Sequence, residues 1–309
     1  MKRIIIFLAG LAVLLFTASA AVMPSGGEVY DIINTDRKLA DISAEKENSI
    51  DVMFAGNSLL FRGISPLQIW GMTGITSYDL SEGAMRLCDQ CALIKGTYDR
   101  QKPALIVIEP DMFFDNSSPY KDDYAIPTNL IERIFPIFHY HTFYKAINLD
   151  GDTGSGGALF KGFEGSEDVD PYTRDPDYMN AEADAAHIPD INKKYLDEII
   201  AFCNERNIRL LIMAMPSPKN YNMGAHNAIQ EWADSKGLTF LDLNLHKDEM
   251  GINWEEDTKD RGEHLNFSGS RKVTAYVAEY LNDNYDLKDH RGDSYYSQWD
   301  ADFEEAGVY

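Results

Sequence analysis

Two short stretches, roughly two hundred residues apart, hold the side chains best suited to acyl chemistry. The first is Gly56-Asn57-Ser58, at the end of the apolar run Val52–Ala55. A serine hydroxyl is a weak nucleophile until a base takes its proton. The usual base is a neutral imidazole steadied on its other nitrogen by a carboxylate. Of seven histidines, His264 stands in the block that looks placed for this work, Asp260-Arg261-Gly262-Glu263-His264. Asp260, one short loop earlier, can turn back to the second imidazole nitrogen, and Asp257 is the reserve candidate for that role.

The surrounding elements must bring these stretches together. Residues Ile50–Ala55, Ile75–Leu80, Ala104–Glu109, Ile208–Met215 and Leu238–Leu243 read as strands. Pro66–Met72, Ala84–Tyr98, Asn192–Asn207, Asn222–Lys236 and Ser268–Asn282 read as helices. Ser65-Pro66 is a helix-opening signal, Ser268 reads as the cap of the last helix and Gly237 as a C-terminal cap. Alternation of this kind predicts a three-layer α/β/α sandwich around a five-stranded parallel sheet of flavodoxin-like type. Ser58 follows the first strand, and His264 lies between the fifth strand and the last helix. In a parallel sheet both positions fall on the carboxyl edge, where ligands bind.

The chain has 309 residues, 44% of them hydrophobic, and a net charge of −22. That charge argues against phosphate-directed nucleic-acid binding and against a polybasic membrane contact. The three cysteines include a Cys88-x-x-Cys91 pair in a helical stretch, with no second pair to complete a zinc site. They read as small buried residues on helix faces. Residues 1–23 combine Lys2-Arg3, an apolar run from Ile4 to Phe16 and Ala18-Ser19-Ala20. This is either a cleaved export signal or an uncleaved N-terminal anchor, and both place the remainder outside the cytoplasm.

Residues 24–49 form a connector, 50–284 the main domain and 285–309 an acidic, aromatic tail. The strand–helix pattern breaks over 110–189, read as an insertion on the edge that carries Ser58. Within it, His139 and His141 read as packing in an aromatic patch. Asp168, Asp170, Asp175 and Asp177 read as a solvated acidic loop without EF-hand spacing. Arg291-Gly292-Asp293 in the tail reads as a surface turn. The nucleophile-elbow pattern G-x-S-x-G is absent, since Leu59-Leu60 follow Ser58.

Gly56-Asn57-Ser58 after the first strand, with Asp260 and His264 before the last helix, resembles the SGNH/GDSL hydrolase superfamily. The stretches GNSLLFRGISP, DRGEHLNFSGSRKVTAYVAEYL and NYDLKDHRGDSYYSQW resemble an exported Firmicutes-type branch related to D-alanyl-transfer and alginate O-acetylation proteins. The resemblance implies Ser58 as nucleophile, His264 as base and Asp260 as the group that orients it. It further implies an oxyanion site built from the backbone N–H groups of Ser58 and Gly83, although Gly83 also fits a plain turn before a helix. No metal or cofactor is implied. Acyl esters on cell-envelope polysaccharides are the implied substrates, and a membrane-bound O-acyltransferase the implied partner.

Three positions depart from the superfamily pattern. Asp260 lies four residues before His264 rather than three, as the branch pattern D-x-G-[DE]-H allows. Glu109-Pro110-Asp111 stands where the third block carries an oxyanion-donating asparagine, and Leu59 stands where relatives often carry a polar residue. These departures set up a rival reading, a non-catalytic envelope assembly or glycan-binding protein on a degenerate hydrolase scaffold.

Overall fold

A computed structural model describes residues 2–22, 36–83, 85–114, 159–174, 177–179 and 183–307. The chain divides into two compact units, Met1–Asp36 with Asn116–Ser155 and Arg37–Asp115 with Gly156–Tyr309. The smaller is described through α1, Lys2–Val22. Among the described residues no helix is long and apolar enough to cross a membrane. Most of the 110–189 insertion, with His139, His141 and Asp175, lies outside the described residues.

The larger unit opens with α2 (Asp36–Ala44) and alternates thereafter. β1 (Val52–Ala55) leads through α3 (Ser58–Phe61) and α4 (Pro66–Thr73) to β2 (Ser77–Asp79). Next come α5 (Leu87–Thr97), β3 (Leu105–Ile108), α6 (Asp190–Arg206), β4 (Arg209–Ala214), α7 (Met223–Lys236) and β5 (Thr239–Asp242). α8 (Phe267–Asn284) and α9 (Ser297–Ala306) close the chain. The five strands form one parallel sheet in the order β2-β1-β3-β4-β5, the flavodoxin-like order expected.

Side chains along a strand point alternately to its two faces, and the core divides accordingly. Met53, Ala55, Ile106, Ile108, Ile212 and Ala214 pack on one side with α5, α6 and α7. Val52, Phe54, Leu105, Val107, Leu211 and Met213 pack on the other with α3 and α8. Burial on both faces explains why β1 and β3 read as unbroken apolar runs.

Three features differ from the sequence reading. A short helix, α3, starts at Ser58 itself, before the helix that Ser65-Pro66 opens. The cap of α8 is Asn266, whose side chain accepts from the Gly269 N–H at 3.1 Å; Ser268 is already inside the first turn. The C-terminal stretch is an integral part of the packing rather than a loose tail. Trp299 is 2% exposed and lies 5.6 Å from Trp70, ring centre to ring centre. His290 Nε2 lies 2.8 Å from Asp51 Oδ2, and the His290 ring stacks on Tyr296. The Arg291–Asp293 segment is a turn, with Arg291 Nη1 donating to the Gly71 carbonyl at 3.1 Å.

Cys91 and Cys203 are buried and all three cysteines are free thiols. Replacing the buried Trp299 by alanine opens a cavity under α4, so Trp299→Ala should cost about 3–5 kcal/mol. Urea unfolding checks this, and a change under about 1 kcal/mol would show that α9 is dispensable.

Candidate active site

Ser58 is placed by the exit of β1. Gly56 passes so close to β3 that a Cβ there would stand 2.7 Å from Glu109 Cβ, which excludes any side chain. Asn57 then caps α3, its Oδ1 accepting from the Leu59 N–H at 2.9 Å. The Asn57 backbone is extended (φ −113°, ψ −157°), and Ser58 is the first helical residue. The Ser58 side chain is therefore raised at the carboxyl edge of the sheet, beside the point where the chain order reverses between β1 and β3.

His264 is placed by a tight loop between β5 and α8. Thr258 is its hub. The Thr258 hydroxyl donates to the His264 carbonyl at 3.0 Å and accepts from the Gly262 N–H at 2.8 Å. The Lys259 N–H donates to the same His264 carbonyl at 3.1 Å. Arg261 and Gly262 both have left-handed backbones, at φ +62° and +83°. A Cβ on Gly262 would also come 2.7 Å from Pro218 Cγ, so glycine is required there on two counts. This double left-handed turn folds the loop back so that Asp260 meets His264, four residues on.

The result is a continuous chain of hydrogen bonds. Ser58 Oγ lies 2.7 Å from His264 Nε2. His264 Nδ1 lies 2.6 Å from Asp260 Oδ2, and the His264 backbone N–H donates to Asp260 Oδ1 at 2.7 Å. One carboxylate thus fixes both the ring and the backbone of the histidine. All three side chains are half-buried. Asp257, the reserve candidate, turns the other way. It is wholly buried, and its Oδ2 accepts from Lys272 Nζ and from the Asn253 N–H, each at 2.6 Å. Gly83 is exposed after β2, with open space where a Cβ would stand.

Asp260, Glu263 and His264 carry ligand atoms within 4.8 Å of one another, close enough for a metal. Their partners account for them otherwise. His264 faces Ser58 and Asp260, and Glu263 pairs with Lys219.

Several contributors carry no sequence signal. A strap over residues 159–174 stitches the two halves of the site. The Glu164 N–H donates to the Phe61 carbonyl at 2.9 Å, and the Asp170 N–H to the Thr258 carbonyl at 3.1 Å. In return the Arg261 N–H donates to the Asp170 carbonyl at 2.8 Å. Asp170, expected in a solvated acidic loop, is also paired with Arg261 Nε at 3.0 Å. Three residues past β4, Ser217 donates its hydroxyl toward the Gly262 carbonyl at 3.0 Å and that of Glu263 at 2.9 Å. Asn244 holds Ser217 in turn, accepting its N–H at 3.0 Å. A second imidazole–carboxylate pair, His226 Nδ1 and Asp242 Oδ2 at 2.7 Å, lies at the end of β5. Two clefts of about 440 and 480 Å³ lie elsewhere, one between α6 and α7 and one at the amino ends of β4 and β5; Ser58 lines neither.

Two buried acids also sit at this edge. Burial, then the neighbouring Asp111 carboxylate, push the Glu109 carboxyl well above the ordinary range. Burial raises Asp79, at the end of β2, to about 6, although Lys38 opposes the shift.

No family model matches the chain, and no curated protein matches it. Solved structures that resemble it include a GDSL-like lipase from Bacteroides thetaiotaomicron, at a TM-score of 0.42 and 11% identity over 82% of this chain and 98% of that one. A lipase/acylhydrolase from Enterococcus faecalis resembles it at a TM-score of 0.39 and 11% identity, over 77% and 98% of the two chains.

The raised Asp79 gives a pH dependence. Between about 4 and about 6 the folded chain holds a proton on Asp79 that the unfolded chain has released. Its contribution to stability therefore falls as pH rises through that window. Asp79→Asn should flatten this limb and raise stability at pH 7 by roughly 1–2 kcal/mol, as read from denaturation curves across the range. An unchanged profile would show that Asp79 ionises freely in the folded chain.

Proposed function

We propose that this chain is an exported serine esterase or O-acyltransferase acting on acyl esters of cell-envelope polysaccharide. One observation carries the acyl-transfer reading: a serine hydroxyl 2.7 Å from an imidazole whose far nitrogen is 2.6 Å from a carboxylate. That arrangement is the minimum for nucleophilic acyl chemistry at a hydroxyl.

In this scheme His264 Nε2 takes the Ser58 proton as Oγ attacks the ester carbonyl. The carbonyl oxygen gains the charge and is met by the backbone N–H groups of Ser58 and Gly83. Collapse expels the alkoxide, which takes the proton from His264 and leaves an acyl-Ser58 ester. Water or a sugar hydroxyl then gives its proton to His264 and attacks the acyl carbon; collapse breaks the bond to Oγ, which takes the proton back from His264 and restores Ser58. Asp260 keeps the ring in the tautomer that presents a bare Nε2 and stabilises the imidazolium between the two transfers.

The substrate class, the export and a membrane-bound O-acyltransferase partner rest on the sequence resemblance and on the leader over residues 1–23. The rival reading, an envelope assembly or glycan-binding protein on a degenerate scaffold, is favoured by the lack of an oxyanion-donating asparagine after the third strand, where Glu109-Pro110-Asp111 stands.

A fluorophosphonate probe separates the two. Wild type should label, and Ser58→Ala and His264→Ala should not. Asp260→Ala should slow turnover of a chromogenic ester roughly 10³–10⁴-fold. Equal labelling of wild type and Ser58→Ala, or of neither, would remove the enzyme reading. Export has its own check. Fractionation of the producing cell should find the protein outside the cytoplasm, and N-terminal sequencing decides between cleavage after Ala20 and an intact anchor; a cytoplasmic pool alone would refute export.

A further inference from the structure

The acyl-transfer scheme leaves the acids just past β3, beside Ser58, unused. Asn57 has both ends of its side chain engaged. Oδ1 caps α3 through the Leu59 N–H, and Nδ2 donates to Asp111 Oδ2 at 2.6 Å. Asp111 in turn donates its backbone N–H to Glu109 Oε2 at 3.0 Å. Glu109 is 0% exposed and underlies Gly56, the residue before Asn57. The turn that presents Ser58 is thus clasped from the segment that follows β3 at two successive residues, Gly56 by the close approach of Glu109 and Asn57 by a hydrogen bond.

The residue type at 57 has a reason in this clasp. Helix capping alone needs only a side-chain oxygen, which serine or aspartate supplies equally well. Asparagine adds a donor, and the donor meets a carboxylate in a short charge-assisted bond. Rotation of the amide would break the cap or the clasp. The direction of the Ser58 Cα–Cβ bond and of its N–H follows from the Asn57 backbone, so both reacting groups of Ser58 depend on the clasp.

We propose that Asp111 is a positioning residue for the nucleophile, holding Asn57 and through it the turn that aims the Ser58 hydroxyl at His264 and the Ser58 N–H at the oxyanion. This rests on the acyl-transfer reading above. Burial, then the neighbouring Asp111 carboxylate, push the Glu109 carboxyl well above its ordinary range, in keeping with a close carboxyl pair beneath this turn.

The test compares fluorophosphonate labelling rate, kcat and KM on a soluble chromogenic ester, and melting temperature, in full-length protein. Displacement of a reacting group by about 1 Å costs on the order of a hundredfold. Asp111→Ala should therefore lower labelling rate and kcat roughly 10- to 100-fold, with KM changed less than about threefold. Asp111→Asn retains an acceptor oxygen and should recover to within about threefold. Asn57→Asp keeps the cap but sets two carboxylates face to face, and should be slow. Adding Asp111→Asn to it restores a donor–acceptor pair with reversed polarity and should recover most of the rate. Wild-type rates in a folded Asp111→Ala, or no recovery in the double variant, would overturn the proposal while leaving Ser58 a nucleophile. A wild type that does not label at all would overturn both readings together.

Discussion

The hydrogen bond between Ser58 Oγ and His264 Nε2 sets the demands that the rest of the larger unit meets. Its donor and acceptor come from opposite parts of the chain and must meet within 2.7 Å. Parallel pairing of all five strands brings every strand exit to one edge, and so makes the meeting feasible. It does not make it automatic. In the order β2-β1-β3-β4-β5, three strand spacings separate β1 from β5, roughly 14 Å at about 4.8 Å each. The connection from Asp242 to Phe267 has to cross that distance over the ends of β3 and β4. It arrives with enough internal bonding to hold an imidazole still.

That bonding is polar and partly buried, which defines what the edge costs and what it secures. Thr258, Ser217 and Asn244 each make two or more hydrogen bonds to the loop or to its supports. Satisfied networks of this kind rigidify, whereas a single missing partner leaves a buried group unpaired at about 1–3 kcal/mol. Asp257 illustrates the division of labour among nearby acids. Spent on Lys272 and the Asn253 N–H, it anchors the loop to α8, and Asp260, three residues on, is left for the histidine. Two carboxylates in one short loop thus have separate tasks because their partners lie on different sides of the backbone.

Sequence pattern carried the architecture well. Continuous apolar runs at β1 and β3, the Ser65-Pro66 start and the Gly237 stop all correspond to buried strands and capped helices. The two halves of the site were legible because Ser58 and His264 sit in compact local blocks at strand exits. The rest was not, for physical reasons. α3 is one turn long, too short for any hydrophobic period to register. Asn266 and Ser268 are both good caps, and only backbone geometry separates them. Ser217, Asn244 and Asp111 act through hydrogen bonds to residues distant in the chain, and pairing at long range leaves no mark on spacing. The C-terminal stretch looked like a tail because its acidic residues outnumber its anchors, yet a few large rings are enough to dock it.

That docking reaches the site through the strap. Near the start of the strap stands Lys161, which is 2% exposed, has a left-handed backbone and lies over the Trp299 ring. Its ammonium is held by Glu45 at the end of α2 and by Asp302 in α9. Its carbonyl accepts the N–H of Asp79 at the end of β2, 2.9 Å away. A buried ammonium stripped of one of its carboxylates is strongly destabilised. Undocking α9 therefore does not stay local. It leaves Lys161 under-compensated and frees the start of the strap, whose later residues bind the Phe61 carbonyl at the end of α3 and the Thr258 carbonyl of the His264 loop. The polar edge is in this way tied to the apolar contact of Trp299 with Trp70, on the far side of α4. Order in the site then depends on the last helix of the chain as directly as on the strands beneath it.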